Sequence, residues 1–163
     1  MQHKEKSVFP KKSDVVIKMF TDKEYFLTKY KNLGAKNVQL LEHKKDGDNF
    51  SIKVSREVPA DVPLPSFAQK FISANMTVVQ QDSWNAKTKK GRLDINIKGI
   101  PATITCDMEL KDEGAGSANH LNWNVKVSIP LLGGKLEQVL IDDIKKKTGP
   151  DTAEGVKQLA NYS

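Results

Sequence analysis

The stretch Ala102–Ile129 reads ATITCDMELKDEGAGSANHLNWNVKVSI, and its parity decides the fold. Ala102, Ile104, Cys106, Met108 and Leu110 alternate with Thr103, Thr105, Asp107 and Glu109. After a turn at Asp112–Ser117, Leu121, Trp123, Val125, Val127 and Ile129 alternate with Asn122, Asn124, Lys126 and Ser128. Successive side chains of a strand point to opposite faces, so two such runs predict an antiparallel pair with one wet face and one covered face. The cover lies downstream. Leu136, Val139, Leu140 and Ile144 recur at helical spacing, which predicts an amphipathic C-terminal helix. Gly149-Pro150 is expected to kink or break that helix, and Asp151 with Glu154 resembles a capping box that restarts it.

The alternation also extends upstream. Leu93, Ile95 and Ile97 lie between turns at Asn85–Gly91 and Gly99–Pro101, and Asn75–Trp84 reads as the strand before them. Val38 and Leu40 on one side and Phe50, Ile52 and Val54 on the other flank Lys44-Lys45-Asp46-Gly47-Asp48, a tight-hairpin signal. Pro59, Pro63 and Pro65 interrupt the ladder, and Ser66–Ile72 is read as a helical turn. At the start, Ser7-Val8-Phe9 predicts a short strand ending at Pro10. Ser13 or Asp14 then caps a helix carrying Val16, Ile17 and Phe20. Asp22 and Glu24 open a second helix with Tyr25, Phe26, Tyr30 and Leu33, stopping at Gly34. The expected class is α+β: a curved antiparallel sheet of about seven strands, two short helices and a long C-terminal helix. A curved meander that grips one helix closes incompletely at its far end, leaving a space between sheet and helix.

Composition bounds what such a chain can be. With 163 residues, 38% hydrophobic and 28% charged, residues 1–163 form one globular domain. No run approaches the ~18 apolar residues of a membrane helix. Cys106 is the only cysteine, which excludes an intramolecular disulfide and a cysteine zinc site. The segment MQHKEKSVFPKK places charges where a signal peptide has its apolar stretch, so a cytoplasmic location is expected. The net charge of +6 is local: Met1–Lys31 carries eight lysines against four acids, and the remainder has 18 basic and 16 acidic residues. Neither base-stacking aromatics on a basic face nor a recognition helix accompanies it, so nucleic acid is not an expected partner. A transient anionic membrane surface is.

Three segments carry a family resemblance: REVPADVPLP at Arg56–Pro65, QDSW at Gln81–Trp84 and SIPLLGGKLE at Ser128–Glu137. With the element order, they make the chain resemble the START-like (SRPBCC) superfamily, the helix-grip fold of birch-pollen-allergen-type proteins, polyketide cyclases and lipid-transfer domains. More closely, it resembles a bacterial family of unknown function within that superfamily. The resemblance implies a cavity for a hydrophobic small molecule and names no ligand. One departure is plain: allergen-type members have a glycine-rich loop between the second and third strands, where this chain has only Lys45-Asp46-Gly47-Asp48-Asn49.

Within such a cavity, parity nominates Ile104, Cys106, Trp123, Val125, Leu136 and Leu140 as lining, with Trp84 a further aromatic facing the interior. Arg56 continues the parity of Phe50, Ile52 and Val54, so its guanidinium could hold a ligand carboxylate or phosphate. The alternatives for Arg56 are an ion pair with Glu57 or Asp82, or a bulge that turns it outward. Cys106 and His120 have opposite parity, which argues against a nucleophilic pair. His3, His43 and His120 lack ligand spacing, so no metal and no cofactor is expected. Asp107 and Glu109 share the wet face, and Gly133-Gly134-Lys135 fits a sharp turn better than an anion site. The leading function is binding or carriage of a hydrophobic or amphipathic small molecule. A cyclase-type enzyme is the second; it needs an acid or base inside the cavity, and Arg56, the clearest inward ionisable residue, is a poor proton carrier. A protein- or RNA-binding module with a filled core is the third.

Overall fold

The computed structural model describes residues 1–61, 66, 69 and 75–163. Among these residues the elements are β1 (Gln2–Phe9), α1 (Ser13–Phe20), α2 (Lys23–Asn32), β2 (Lys36–Asp46), β3 (Asn49–Pro59), β4 (Asn75–Asn85), β5 (Lys90–Ile97), β6 (Ala102–Glu113), β7 (Gly116–Val127) and α3 (Gly133–Leu159). The strands form one curved sheet in the order β1-β7-β6-β5-β4-β3-β2, antiparallel throughout. Its edges are β1 and β2, and α1 with α2 carries the chain from one edge to the other.

The parity reading holds along β6 and β7. Ile104 pairs with Val125 and Cys106 with Trp123, so the apolar sets of both strands share one face. That face is buried, while Thr103, Asp107, Asn122 and Asn124 lie on the more open side. The hairpin at Lys44–Asp48 also forms, with Asp46 paired to Asn49 and Gly47 at φ 57°, a conformation in which most side chains are strained.

Several local expectations are corrected. The first strand begins at Gln2 rather than Ser7, because β1 pairs with β7 from Gln2↔Asn124 to Phe9↔Ser117. Neither Ser13 nor Asp14 caps α1; Asp112 of β6 instead accepts from the Ser13 backbone N–H at 2.7 Å. Asp22 does cap α2, accepting from Glu24 N–H at 3.0 Å. Of the helical turn expected at Ser66–Ile72, Ser66 and Gln69 are described and have 3₁₀ conformation, while its other residues, like the part of the Arg56–Pro65 segment after Asp61, lie outside the described residues.

The largest correction concerns the last helix. It runs 27 residues without a break, with Pro150 in its interior, so no restart occurs at Asp151. Proline removes one N–H and ordinarily costs about 3 kcal/mol in a helix interior. Contacts on both sides of Pro150 offset that cost. Thr148 donates to Glu5 at 2.6 Å and Thr152 to Ser7 at 2.8 Å, tying the helix to β1 across the proline. Asp151 pairs with Lys29, while Glu154 accepts from Asn32 and Gln158.

Aromatic rings fill one end of the space between sheet and helices. Phe20 stacks on Trp84 at 5.1 Å, Phe9 meets Phe20 edge-on at 5.5 Å, and Phe26 stacks on Phe50 at 5.9 Å. Beyond these rings the interior is open.

Candidate functional site

A cavity of about 530 Å³ lies between the concave face of the sheet, α2 and α3. The aromatic cluster forms its floor through Phe9, Phe20, Tyr25, Phe26 and Trp84. Ile95, Ile97, Ile104, Met108 and Trp123 line the sheet side, and Leu140 and Ile144 line the helix side. Among the described residues, the exposed part of the lining is Leu33, Gly34, Pro59, Asp61, Lys147 and Pro150. The opening therefore lies between the ends of α2 and β3 and the middle of α3. Lys147 reaches Asp61 there at 3.5 Å.

Of the seven residues nominated from sequence, four reach this wall: Arg56, Ile104, Trp123 and Leu140. Cys106, Val125 and Leu136 do not. They are buried at 0%, 0% and 4% exposure and pack behind or beside the wall. Parity gives the face of a strand, but the placement of α3 decides which inward residues meet open space. Burial pushes the Cys106 thiol up to about 12, so it stays a neutral apolar group. His120 bonds to Glu113 on the exposed side and cannot serve that thiol. Asp107 pairs with Arg92 on the wet face. A side chain at Gly133 would run within 2.5 Å of the Val127 carbonyl oxygen, so close packing accounts for that glycine.

Arg56 points inward. Its Nη2 donates to Gln80 Oε1 at 2.9 Å, and its guanidinium lies 4.2 Å over the Tyr30 ring. The Gln80 amide in turn donates to Asp82 Oδ1 at 2.9 Å. Thus Asp82 is linked to Arg56 through a carboxamide rather than by a direct ion pair. Arg56 Nη1 is buried and has no hydrogen-bond partner among the described residues. Asn119 Oδ1, elsewhere on the same wall, is the other such atom. A buried polar atom without a partner costs about 1–3 kcal/mol, so both atoms mark places where an occupant would be gripped.

Two further ionisable residues join Arg56 that the sequence reading did not place in the site. Asp82 is 6% exposed on β4, and burial pushes its carboxyl up to about 6 against the opposing effects of Lys29 and the Gln80 hydrogen bond. Lys29 is also 6% exposed, at the inner face of α2, with its ammonium 3.2 Å from Asp151 of α3. Burial alone would lower its pKa, but Asp151, Tyr25, Tyr30 and Asp82 outweigh it and hold Lys29 charged. Burial also pushes the hydroxyl of Tyr25 up to about 12 and that of Tyr30 higher still. A signal for Asp82 was present, since it shares the parity of Met76, Val78, Gln80 and Trp84. Lys29 follows Tyr25 by one helical turn.

The comparisons with known proteins agree with this architecture. Residues 6–152 match a family described as protein of unknown function (DUF2505). No curated protein matches the chain. Among solved structures, Ara h 8.0201 superposes with a TM-score of 0.65 at 13% identity, covering 99% of this chain and 98% of that one. The Zhui aromatase/cyclase from Streptomyces sp. R1128 gives 0.64 at 8% identity over 98% and 93%. A protein from Thermus thermophilus gives 0.62 at 12% identity over 98% and 96%. At these identities the likeness is one of fold, a curved antiparallel sheet gripping a long C-terminal helix.

Proposed function

Because this chain belongs to the DUF2505 family, whose function is unknown, its role has to be read from its own cavity, and we propose that it binds and carries a hydrophobic or amphipathic small molecule there. One observation carries the reading: about 530 Å³ of open space walled by apolar side chains, with a single buried charged cluster, among the described residues, set into the wall. Protein interiors are otherwise packed nearly as densely as organic crystals, and small-molecule sites span roughly 300–1,000 Å³. Ile104, Trp123 and Leu140 supply apolar contact, and Arg56 fixes the polar end of the ligand. Cys106, Val125 and Leu136 support that wall from behind. The open interior counts against an interaction module whose core is filled.

The experiment is native mass spectrometry of the purified protein, before and after extraction with organic solvent. A retained mass released by the solvent supports carriage. A bare protein that also takes up nothing from a mixture of medium- and long-chain amphiphiles overturns it.

Asp82 favours a second reading, an acid–base enzyme of the cyclase type, because a carboxyl near 6 inside an apolar cavity is the proton carrier such chemistry needs. Turnover of a polyketide-like substrate that is lost in Asp82→Asn would select it.

An anionic membrane surface is the partner from which we propose the ligand is collected. Leu131 supports this: it stands fully exposed before α3 with φ 66°, a conformation that costs a leucine about 1–2 kcal/mol. Its loop is bonded to the β5–β6 loop through Ser128 N–H to Pro101 O, and Ile100 of that loop lines the cavity. Exposed Lys98, Lys126 and Lys135 flank the two loops in sequence. Co-sedimentation with phosphatidylserine vesicles that is lost in Leu131→Asp supports the assignment; equal sedimentation of both proteins contradicts it.

A further inference from the structure

The buried cluster is balanced in charge, and that balance constrains the ligand. Four charged side chains meet at one side of the cavity: Lys29 from α2, Arg56 from β3, Asp82 from β4 and Asp151 from α3. Lys29 is paired with Asp151 at 3.2 Å, and Arg56 is linked to Asp82 through Gln80. With Asp82 ionised, two cations face two carboxylates and the group is neutral. Arg56 nonetheless keeps one buried NH2 group, Nη1, without a partner among the described residues. A forked guanidinium with one free prong is suited to a carboxylate, which accepts charge-assisted hydrogen bonds. An anion placed there would leave the buried group with one surplus negative charge, and low-dielectric surroundings make that costly. Uptake of a proton by Asp82 restores neutrality.

We propose that the ligand is an amphipathic carboxylic acid whose carboxylate pairs with Arg56, and that it binds together with one proton held by Asp82. This rests on the carrier reading above. The balance is complete: the ligand anion and one proton added to the neutral four-residue cluster leave that cluster neutral, and the one bond made is the O–H of Asp82. Asp82 is the group able to take the proton. The other titratable groups around it are Tyr25, Tyr30 and Lys29 on α2, Arg56 on β3, Asp151 on α3 and Cys106 on β6. Tyr25, Tyr30 and Cys106 stay neutral and Lys29 stays charged through the neutral range. The strand partners of Asp82 in register, Ile52 and Leu93, are apolar. Since the Asp82 carboxyl ionises at about 6, it is mostly charged at pH 7.5 and must be protonated for the anion to enter.

The test is isothermal titration calorimetry of the full chain with decanoate and with 1-decanol, in two buffers of different ionisation enthalpy, from pH 5 to 8. Decanoate should bind at least tenfold more tightly than decanol at pH 6. Proton uptake should be near one at pH 7.5 and about one half at pH 6, where Asp82 is half protonated and decanoate is still ionised. The decanoate Kd should rise about tenfold per pH unit above pH 6. In Asp82→Asn the uptake should vanish and the Kd become independent of pH. Arg56→Gln should erase the preference for the acid, and Arg56→Lys should keep part of it, which separates a lost charge from a damaged fold. Equal binding of acid and alcohol overturns this inference and leaves the carrier reading standing. Uptake that persists in Asp82→Asn places the proton on the ligand and also overturns it. Failure of both probes to bind overturns the carrier reading itself.

Discussion

The Lys29 ammonium of α2 lies 3.2 Å from the Asp151 carboxylate of α3, so an ion pair joins the two helices at the rim of the cavity. Lys29 is buried and Asp151 is half-exposed, so the pair is neither a surface contact nor fully desolvated. Removing Asp151 leaves the Lys29 cation short of a partner. Asp151→Ala should lower stability by about 1–3 kcal/mol, less than the loss of a fully buried partner because water screens this carboxylate. Urea denaturation measures it, and a change below ~0.5 kcal/mol would mean that Asp82 alone satisfies Lys29.

Asp82 predicts a stability that depends on pH in an unusual direction. Its carboxyl titrates at about 6 in the folded chain, against 3.8 for an unperturbed aspartate. Between those values the folded state binds more protons than the unfolded one, so this group's contribution falls as pH rises through that window and stays lost above it. Asp82→Asn should therefore stabilise the protein at pH 7.5, by about 1–3 kcal/mol, with the gain shrinking toward zero at pH 4. Thermal melts of both proteins at the two pH values check it. A constant difference between them would mean that Asp82 is not the titrating group.

Gly91 pairs directly with Trp84 across β4 and β5, and a Cβ added there would lie 2.6 Å from the indole ring. The ring in turn stacks on Phe20 and forms part of the cavity floor. Gly91→Ala should displace Trp84, costing roughly 1–3 kcal/mol and shifting its fluorescence. Unchanged emission and stability would show that the floor can give way.

Pro150 sits inside α3 between two side chains anchored to β1. Pro150→Ala restores a helix N–H and should be neutral or stabilising by up to about 1–2 kcal/mol, with unchanged helical circular dichroism. The double variant Thr148→Val with Thr152→Val should destabilise a chain that retains Pro150 more than one carrying Pro150→Ala. Equal losses in both backgrounds would mean that the anchors do not offset the proline.

How much of this was legible depended on the range of the interaction. The period of two in Ala102–Leu110 and Leu121–Ile129 is local, so the strands, their inward face and the overall fold follow from the sequence. Arg56 was also legible, since β3 stays regular up to it. Lys29 was not, because a charged helix residue belongs in water unless a partner holds it, and that partner, Asp151, comes from the far end of the chain. Asp82 carried the right parity, but its inward position depends on the same distant charges. Pro150 misled for a related reason: the local rule predicts a break, and the contacts that override it come from β1. Cys106, Val125 and Leu136 face inward as expected, yet only the seating of α3 decides that they pack behind the wall while Ile104, Trp123 and Leu140 meet the open space.

That open space is the central claim, and filling it is the most direct test. Leu140 faces the cavity from α3, so Leu140→Trp should occupy part of the roughly 530 Å³ without disturbing the sheet. The measurement is equilibrium binding of decanoate at pH 6 to the original protein and to this variant, both first shown to be folded by circular dichroism. The account predicts one decanoate per chain and an affinity at least tenfold weaker in the variant. Equal affinity for the two proteins would place the bound molecule outside the cavity and contradict the account.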